Sequence, residues 1–227
     1  LTMKWFLDLF SSTLGRKLTM ALTGLFLILF LAVHLAGNLQ LLKADGGRSF
    51  NIYAEFMSTN PLIQFVSKGN FAFILIHVLW AIMLSRKNQA ARGPVGYTES
   101  SGRSSEWTSR NMGILGTIVL VFIVIHLKDF WAQMHFGGMT MVDYDGKQYR
   151  NIYVLVNEWF HVTWYVVLYV FCMAAVGFHL WHGFASAFQT LGLNHLKYNG
   201  LIKVVGRTFA VVVPALFALI PVLMYLN

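Results

Sequence analysis

The sequence predicts an all-α integral membrane protein, a bundle of five transmembrane helices, from its composition and its long apolar runs. Of 227 residues, 57% are hydrophobic and 11% are charged, whereas a soluble domain carries about 25% charged residues. A helix that spans a membrane needs about 20 mainly apolar residues. We therefore expect a single membrane domain over residues 1–227. Its five predicted spans are 18–42, 62–85, 111–134, 158–190 and 205–227.

Charged residues and proline bound the first three spans. The first span contains no charged residue. Pro61 precedes the second, and proline suits the first turn of a helix, where its missing N–H is not needed. The third is free of charge between Arg110 and Lys128.

The fourth apolar run is the longest, and the fifth follows Arg207. We expect the fourth helix to end near Gly192. Residues 1–17 are expected to form a short amphipathic segment on the membrane surface, and 93–107 a polar connection.

The distribution of basic residues predicts that the N-terminus is cytoplasmic. Cytoplasmic loops of membrane proteins carry an excess of lysine and arginine. The N-terminal segment and the loops at 85–110 and 190–207 carry eleven of the 17 lysines and arginines, and the opposite side carries six. We therefore expect a multi-pass protein of a bacterial-type inner (cytoplasmic) membrane, with its C-terminus outside. Topology and anionic lipid explain the net charge of +8 better than nucleic acid does.

Four histidines lie within the predicted spans, one on each of the first four. At about 1.5 Å per residue, His34 and His126 lie roughly 24–26 Å from the cytoplasmic ends of their helices, and His77 and His179 roughly 14–15 Å. The histidines therefore form two layers. His34 and His126 belong to the outer layer, and His77 and His179 to the inner one.

Two imidazoles that face each other at one depth can ligate a haem iron from both sides. The pattern favours two haem b groups inside the bundle, each held by one histidine pair. The alternative is that each histidine makes only an interhelical hydrogen bond, which is common in membranes. His182 lies three residues after His179 and shares its face. It is either a haem-propionate or subunit contact or a structural histidine.

Two segments resemble a known family, the di-haem cytochrome b membrane anchor of succinate dehydrogenases and fumarate reductases. They are SSTLGRKLTMALTGLFLILFLAVHLAGNL and FHLWHGFASAFQTLGLNH. The resemblance implies that His34 and His126 ligate the distal haem and that His77 and His179 ligate the proximal haem. It also implies that the chain is a non-catalytic, quinone-reactive carrier of electrons in the respiratory chain and the tricarboxylic acid cycle.

The resemblance further implies partners and a second ligand. A flavoprotein subunit with FAD and an iron–sulfur subunit would bind on the cytoplasmic side, and the quinone would be menaquinone. Two alternatives remain open: a haem b anchor of another quinone-linked dehydrogenase or hydrogenase, and a haem-free transporter. Some family members carry an intramembrane glutamate where this chain has Gly177. We expect no carboxylate in mid-membrane here, so a proton path through such a group is not predicted.

Polar residues near the helix ends are candidates for two further roles. Haem propionates need hydrogen-bond donors, and a quinone needs an apolar slot with few polar groups. The candidates for the propionates are Arg16, Lys17, Arg110, Lys128, His182 and Gln189. The candidates for an outer quinone site are Asn38, Asp129, Trp159 and His161.

Overall fold

The computed structural model describes residues 10–92 and 106–227. Most of the predicted surface segment 1–17, and nearly all of the predicted loop 93–107, lie outside these residues. Five helices are long and apolar enough to cross a membrane, which confirms the predicted all-α, five-span class. We call them spans one to five: Thr13–Leu42, Pro61–Ala91, Met112–Phe136, Thr163–Thr190 and Leu196–Leu226.

Two of the spans change helix type along their length. Span one is α-helical over Thr13–Asn38 and ends in a 3₁₀ turn, Leu39–Leu42. Span three is α-helical over Met112–His126 and π-helical over Leu127–Ala132, and it returns to α-helix at Gln133–Phe136. The α-helix of span two continues to residue 92. The shorter helices are Arg48–Thr59, Trp107–Arg110 and Ile152–Phe160, and the strands are Met141–Tyr144 and Lys147–Arg150.

Side chains cap the first turns of three spans. The Ser12 hydroxyl accepts a hydrogen bond from the Gly15 N–H at 2.9 Å. Asn60 Oδ1 accepts from Leu62 N at 3.0 Å, directly before the helix that Pro61 begins. His195 Nδ1 accepts from Lys197 N at 3.1 Å. Each cap satisfies an N–H group that the helix itself cannot bond, and so defines where the helix begins.

The fourth and fifth spans begin at different residues from those predicted. The predicted span 158–190 is divided, because Val162 is extended and separates the helix Ile152–Phe160 from span four. Span five begins at Leu196, not at 205. Its first turns carry exposed Lys197 and Lys203, so apolar composition alone could not reveal that they are helical.

A small polar cap covers the outer end of the bundle and was not predicted. The two strands pair antiparallel, Met141 opposite Arg150. Asn51 is fully buried in the helix Arg48–Thr59, and its Nδ2 donates to Tyr144 Oη at 3.0 Å. Its Oδ1 accepts from Tyr153 N at 2.9 Å. The Asn51 side chain therefore connects the helix Arg48–Thr59 to the hairpin and to the helix Ile152–Phe160, which precedes span four.

The closely packed helix pairs determine where space remains inside the bundle. Spans four and five pack most extensively, and span one packs on spans two and four, while span three packs on span four. At Gly177 an added Cβ would lie 3.0 Å from the Ala210 carbonyl oxygen, so the backbones of spans four and five approach closely there. Spans one and three, and spans two and four, are not among the closely packed pairs of the described chain. These are the helices that carry the two histidine pairs.

Candidate functional site: two histidine pairs

The outer pair joins spans one and three. The ring centroids of His34 and His126 lie 5.8 Å apart, with their planes at 90°. Aromatic rings surround both imidazoles: Phe30 stacks on His34 at 5.2 Å, Phe217 lies 5.6 Å from it, and Phe122 lies 5.8 Å from His126. The pair therefore has the apolar walls that a porphyrin requires.

A tyrosine orients one member of the outer pair. Tyr169 is buried in span four, and its hydroxyl shares a hydrogen bond of 2.9 Å with His126 Nδ1. A histidine that binds a metal commonly uses its other ring nitrogen in this way. With Nδ1 engaged, Nε2 is the nitrogen left for a metal. By contrast, the Asn38 amide lies 3.4 Å from both ring nitrogens of His34 and bonds the His34 carbonyl at 2.8 Å.

The inner pair joins spans two and four. The ring centroids of His77 and His179 lie 6.4 Å apart, with their planes at 66°. His77 Nδ1 lies 3.2 Å from both the Met20 carbonyl oxygen and Thr23 Oγ1. Because a carbonyl can only accept, Nδ1 carries the proton and donates to it, which leaves Nε2 as the free nitrogen.

Glycines flank the inner pair. A Cβ added at Gly24 would lie 3.3 Å from His77 Cε1, and one at Gly116 would lie 3.7 Å from His179 Cε1. Neither glycine was singled out from the sequence. The available signal was their position: Gly24 lies on span one and Gly116 on span three, within about one helical turn of the depth predicted for the inner layer.

The spacing of both pairs fits two imidazoles that share one metal ion. Two metal–nitrogen bonds of about 2 Å, with about 1.1 Å from each nitrogen to its ring centroid, separate the centroids by at most about 6.2 Å. The observed separations are 6.4 Å for the inner pair and 5.8 Å for the outer pair. The backbones that carry each pair are not among the closely packed pairs of the described chain, so the side chains and not the backbones meet there.

The residues predicted to bind haem propionates occupy different environments. The guanidinium of Arg16 lies 5.1 Å from the ring centroid of Trp80. Lys17 and Arg110 are exposed. Lys128 Nζ forms an ion pair of 2.7 Å with Asp129. The other two, His182 and Gln189, line a cleft at the inner end of the bundle.

That inner cleft has a volume of about 280 Å³ and lies between spans four and five and the helix Trp107–Arg110. Arg207 and Lys203 contribute positive charge to it, and both were missed as site residues. Arg207 also lies 4.9 Å above the Trp181 ring and 3.4 Å from the Glu106 carboxylate. Lys203 and Arg207 lie directly before the fifth apolar run, where basic residues also serve to orient a membrane protein, so the sequence does not distinguish the two roles.

The residues predicted to bind quinone do not line one slot. Asn38 folds onto His34, whereas Trp159 packs on Tyr165 with centroids 4.6 Å apart. His161 is exposed and bonds the Asn157 carbonyl through Nδ1 at 2.7 Å. A separate open groove of about 450 Å³ is lined by Gln40, Ser49, Ile52, Tyr53 and Phe56, none of them predicted. Quinone binding stays a prediction.

Asp129, one of the predicted quinone-site candidates, is a buried carboxylate near the end of span three. It is 3% exposed and lies three residues beyond His126 in the π-helical part of span three. The hydroxyl of Tyr165, itself fully buried, donates to Asp129 Oδ2 at 3.1 Å, and Lys128 pairs with Oδ1. The sequence predicts that Asp129 lies near a helix end, and the structure shows that its side chain is buried within the bundle at that end.

Comparison with known proteins adds one distant relative. Protoheme IX farnesyltransferase 1 of Cenarchaeum symbiosum (strain A) is 26% identical over 140 residues, which cover 55% of this chain and 45% of the relative. This chain therefore spans less than half the length of that protein. No family model matches the chain. No solved structure matches it.

This similarity contradicts the identification of the chain as a cytochrome b anchor of succinate dehydrogenase or fumarate reductase. The electron-carrier function and the respiratory role were implied by that resemblance and do not stand. The apolar helices imply a lipid bilayer, and nothing supports the flavoprotein and iron–sulfur partners. The transporter alternative also finds no support. Apolar helices with spaced histidines occur in many membrane proteins, so the two segments were not specific enough to define a family.

Proposed function

We propose that this chain is a multi-pass membrane protein that binds protohaem inside the bilayer, with each histidine pair supplying two axial ligands. The observation that carries the proposal is the pair geometry, with ring separations of 5.8 and 6.4 Å across helices that do not pack closely. The relative is named for a reaction of protoheme IX, which supports protohaem as the porphyrin.

The chain's own residues would bind, orient and shield the ligand. Bound protohaem would supply an iron, which His34 with His126 and His77 with His179 would hold. Tyr169 and the Met20 carbonyl hold one imidazole of each pair by Nδ1, which presents Nε2 to the metal. Phe122 and Phe217 exclude water at the outer site.

The proposed orientation follows from charge. Basic residues are concentrated at the N-terminal side of span one, before span three and between spans four and five. We place that side in the cytoplasm, in a bacterial-type inner membrane. The His77/His179 pair then lies nearer the cytoplasm, and the hairpin cap faces outward.

The test is the haem content of the purified full-length chain. We expect two protohaems per chain by the pyridine haemochromogen assay, with the sharp reduced α and Soret bands of bis-imidazole ligation. His126→Ala and His179→Ala should each leave one. His135→Ala is the matched control, because His135 is exposed and belongs to neither pair. A purified chain without porphyrin, or pair variants that retain both, would contradict the proposal.

A second candidate function is the transfer of a prenyl group to bound protohaem, which the similarity favours. Such a reaction would form a bond between the farnesyl carbon and a porphyrin carbon, which loses a proton, and would break the farnesyl–oxygen bond to release diphosphate. Lys203 and Arg207 supply cations for the diphosphate in the inner cleft, on the same side as His77 and His179. Membranes that contain the chain would be incubated with protohaem and farnesyl diphosphate. Mass spectrometry should then show a porphyrin heavier by a farnesyl group, and less of it with Lys203→Ala. An unchanged porphyrin mass would exclude this activity and leave protohaem binding alone.

A further inference from the structure

Two buried donors beside the inner pair have no acceptor in the described chain. They are Arg16 Nε and Trp80 Nε1. The two side chains also contact each other, with the Arg16 guanidinium 5.1 Å from the centroid of the Trp80 ring. No ion pair of the described residues involves Arg16. A buried donor without a partner is costly, and the remainder of the Arg16 guanidinium is only partly exposed.

Both donors lie close to His77, Trp80 on the same helix and Arg16 on the neighbouring span one. Trp80 follows His77 by three residues, and side chains at this spacing share a helix face. Arg16 precedes Met20 by four residues, and the Met20 carbonyl is the group that holds His77 Nδ1. Arg16 and Trp80 therefore lie next to each other about one turn from His77, toward the basic end of the bundle.

We propose that Arg16 and Trp80 together bind a carboxylate of the protohaem held by His77 and His179. The inference rests on the proposed function. Protohaem carries two propionate carboxylates on one edge of its ring, and a carboxylate accepts hydrogen bonds from both guanidinium and indole N–H groups. Arg16 supplies charge and an N–H group, and Trp80 supplies a second N–H group and a ring beneath the cation. Trp80 is new as a ligand residue, because it is absent from the propionate candidates predicted from the sequence.

The experiment compares two porphyrins that differ only in the proposed contact. The full-length chain with His126→Ala, which confines binding to the inner pair, is titrated in neutral-lipid nanodiscs with protohaem and with its dimethyl ester. Trp80→Phe keeps the ring but loses the N–H. We expect it to weaken protohaem binding about tenfold, because hydrogen bonds to charged groups are among the stronger ones. Binding of the dimethyl ester should not change.

Three further variants sharpen the result. Arg16→Gln should weaken protohaem binding at least as much as Trp80→Phe does, and Arg16→Lys should restore part of it through the retained charge. Trp164→Phe is the matched control, since Trp164 is 61% exposed at the other end of the bundle. An equal loss for both porphyrins would show that Arg16 and Trp80 are structural and would overturn the inference, as would no loss for either.

Two outcomes separate the inference from its alternatives. If the donors bind lipid phosphate instead, Trp80→Phe will leave protohaem binding unchanged in the nanodiscs, and the inference fails. His77→Ala tests the underlying function. If it abolishes inner binding while Trp80→Phe changes nothing, protohaem binding stands and only the role of Arg16 and Trp80 is wrong.

Discussion

The two histidine pairs use the same residue type but are positioned by different means. At the outer pair, side chains from span four satisfy the polar groups: Tyr169 bonds His126, and Tyr165 bonds Asp129. At the inner pair, a backbone carbonyl holds His77, glycines lie against both rings, and His179 Nδ1 has no partner in the described chain. The outer site is therefore organised by side chains that can be changed singly. The inner site is organised by helix backbone, which single substitutions disturb less.

The largest expected effect is the loss of the Asp129 carboxylate. Asp129→Ala leaves the Tyr165 hydroxyl buried without its acceptor and the Lys128 ammonium without its anion. We expect the free energy of unfolding in mixed detergent to fall by about 2 kcal/mol, the cost of leaving a buried hydroxyl without its acceptor, since the Lys128 side chain is 72% exposed and remains hydrated. Asp143→Ala, at an exposed position of the hairpin, should change it by less than about 0.5 kcal/mol. Equal effects of the two substitutions would show that the contacts of Asp129 with Tyr165 and Lys128 do not stabilise the fold.

Next in size is the loss of the hydroxyl that orients His126. Tyr169→Phe retains the packing but frees His126 Nδ1, and we expect the outer protohaem to bind at least about tenfold more weakly. Soret titration of a chain with His179→Ala, which keeps only the outer site, measures this. Tyr225→Phe is the control, since that hydroxyl bonds Thr163 at an exposed position. An unchanged affinity would mean that the His126 tautomer is set by something else.

The two glycines give a matched pair of substitutions. Gly24→Ala would bring a methyl group to 3.3 Å from His77 Cε1, and His77 cannot easily move because Met20 and Thr23 hold it. We expect overpacking to cost inner-site binding about 1 kcal/mol. Gly116→Ala meets His179 at an ordinary contact distance of 3.7 Å and should cost less. The reverse order would show that His179, not His77, is the rigidly held member.

The smallest effect is expected for Thr23→Val. It removes one of two groups near His77 Nδ1 and leaves the Met20 carbonyl as acceptor. We expect inner protohaem affinity to change less than about threefold, well below the effect of Tyr169→Phe at the outer site. The same titration in a chain with His126→Ala measures it. If Thr23→Val weakens protohaem binding as much as Tyr169→Phe does, the inner pair is also positioned by a side chain, and the proposed difference between the two pairs is wrong.

The lengths of the apolar runs and the positions of the charged residues were enough to predict five spans, because a helix that contacts lipid must be apolar over its whole membrane-spanning length. Depth along each helix was enough to predict which histidines meet, since a helix converts sequence distance into height. The division at Val162 could not be predicted, because neither glycine nor proline marks it. The cap around Asn51 depends on contacts between residues about 100 positions apart, which local patterns do not contain.

Residue type alone did not reveal the surroundings of several candidate residues. Asp129 is a predicted quinone-site candidate near a helix end, and in the structure its carboxylate is buried and accepts a hydrogen bond from Tyr165. Trp159 and His161 looked like neighbours in one slot, yet one packs on Tyr165 and the other points to solvent. Composition cannot distinguish these cases, because both depend on which way a helix is turned.

The π-helical stretch Leu127–Ala132 widens span three directly after His126. A π turn accommodates one more residue than an α turn, so it offsets the faces of the helix on either side of it by about 100°. Deleting one residue there would turn Trp131 and the segment after it to a new side while leaving His126 in place. An insertion or deletion in this stretch would therefore change which side chains surround the outer end of the bundle, while His126 keeps its position.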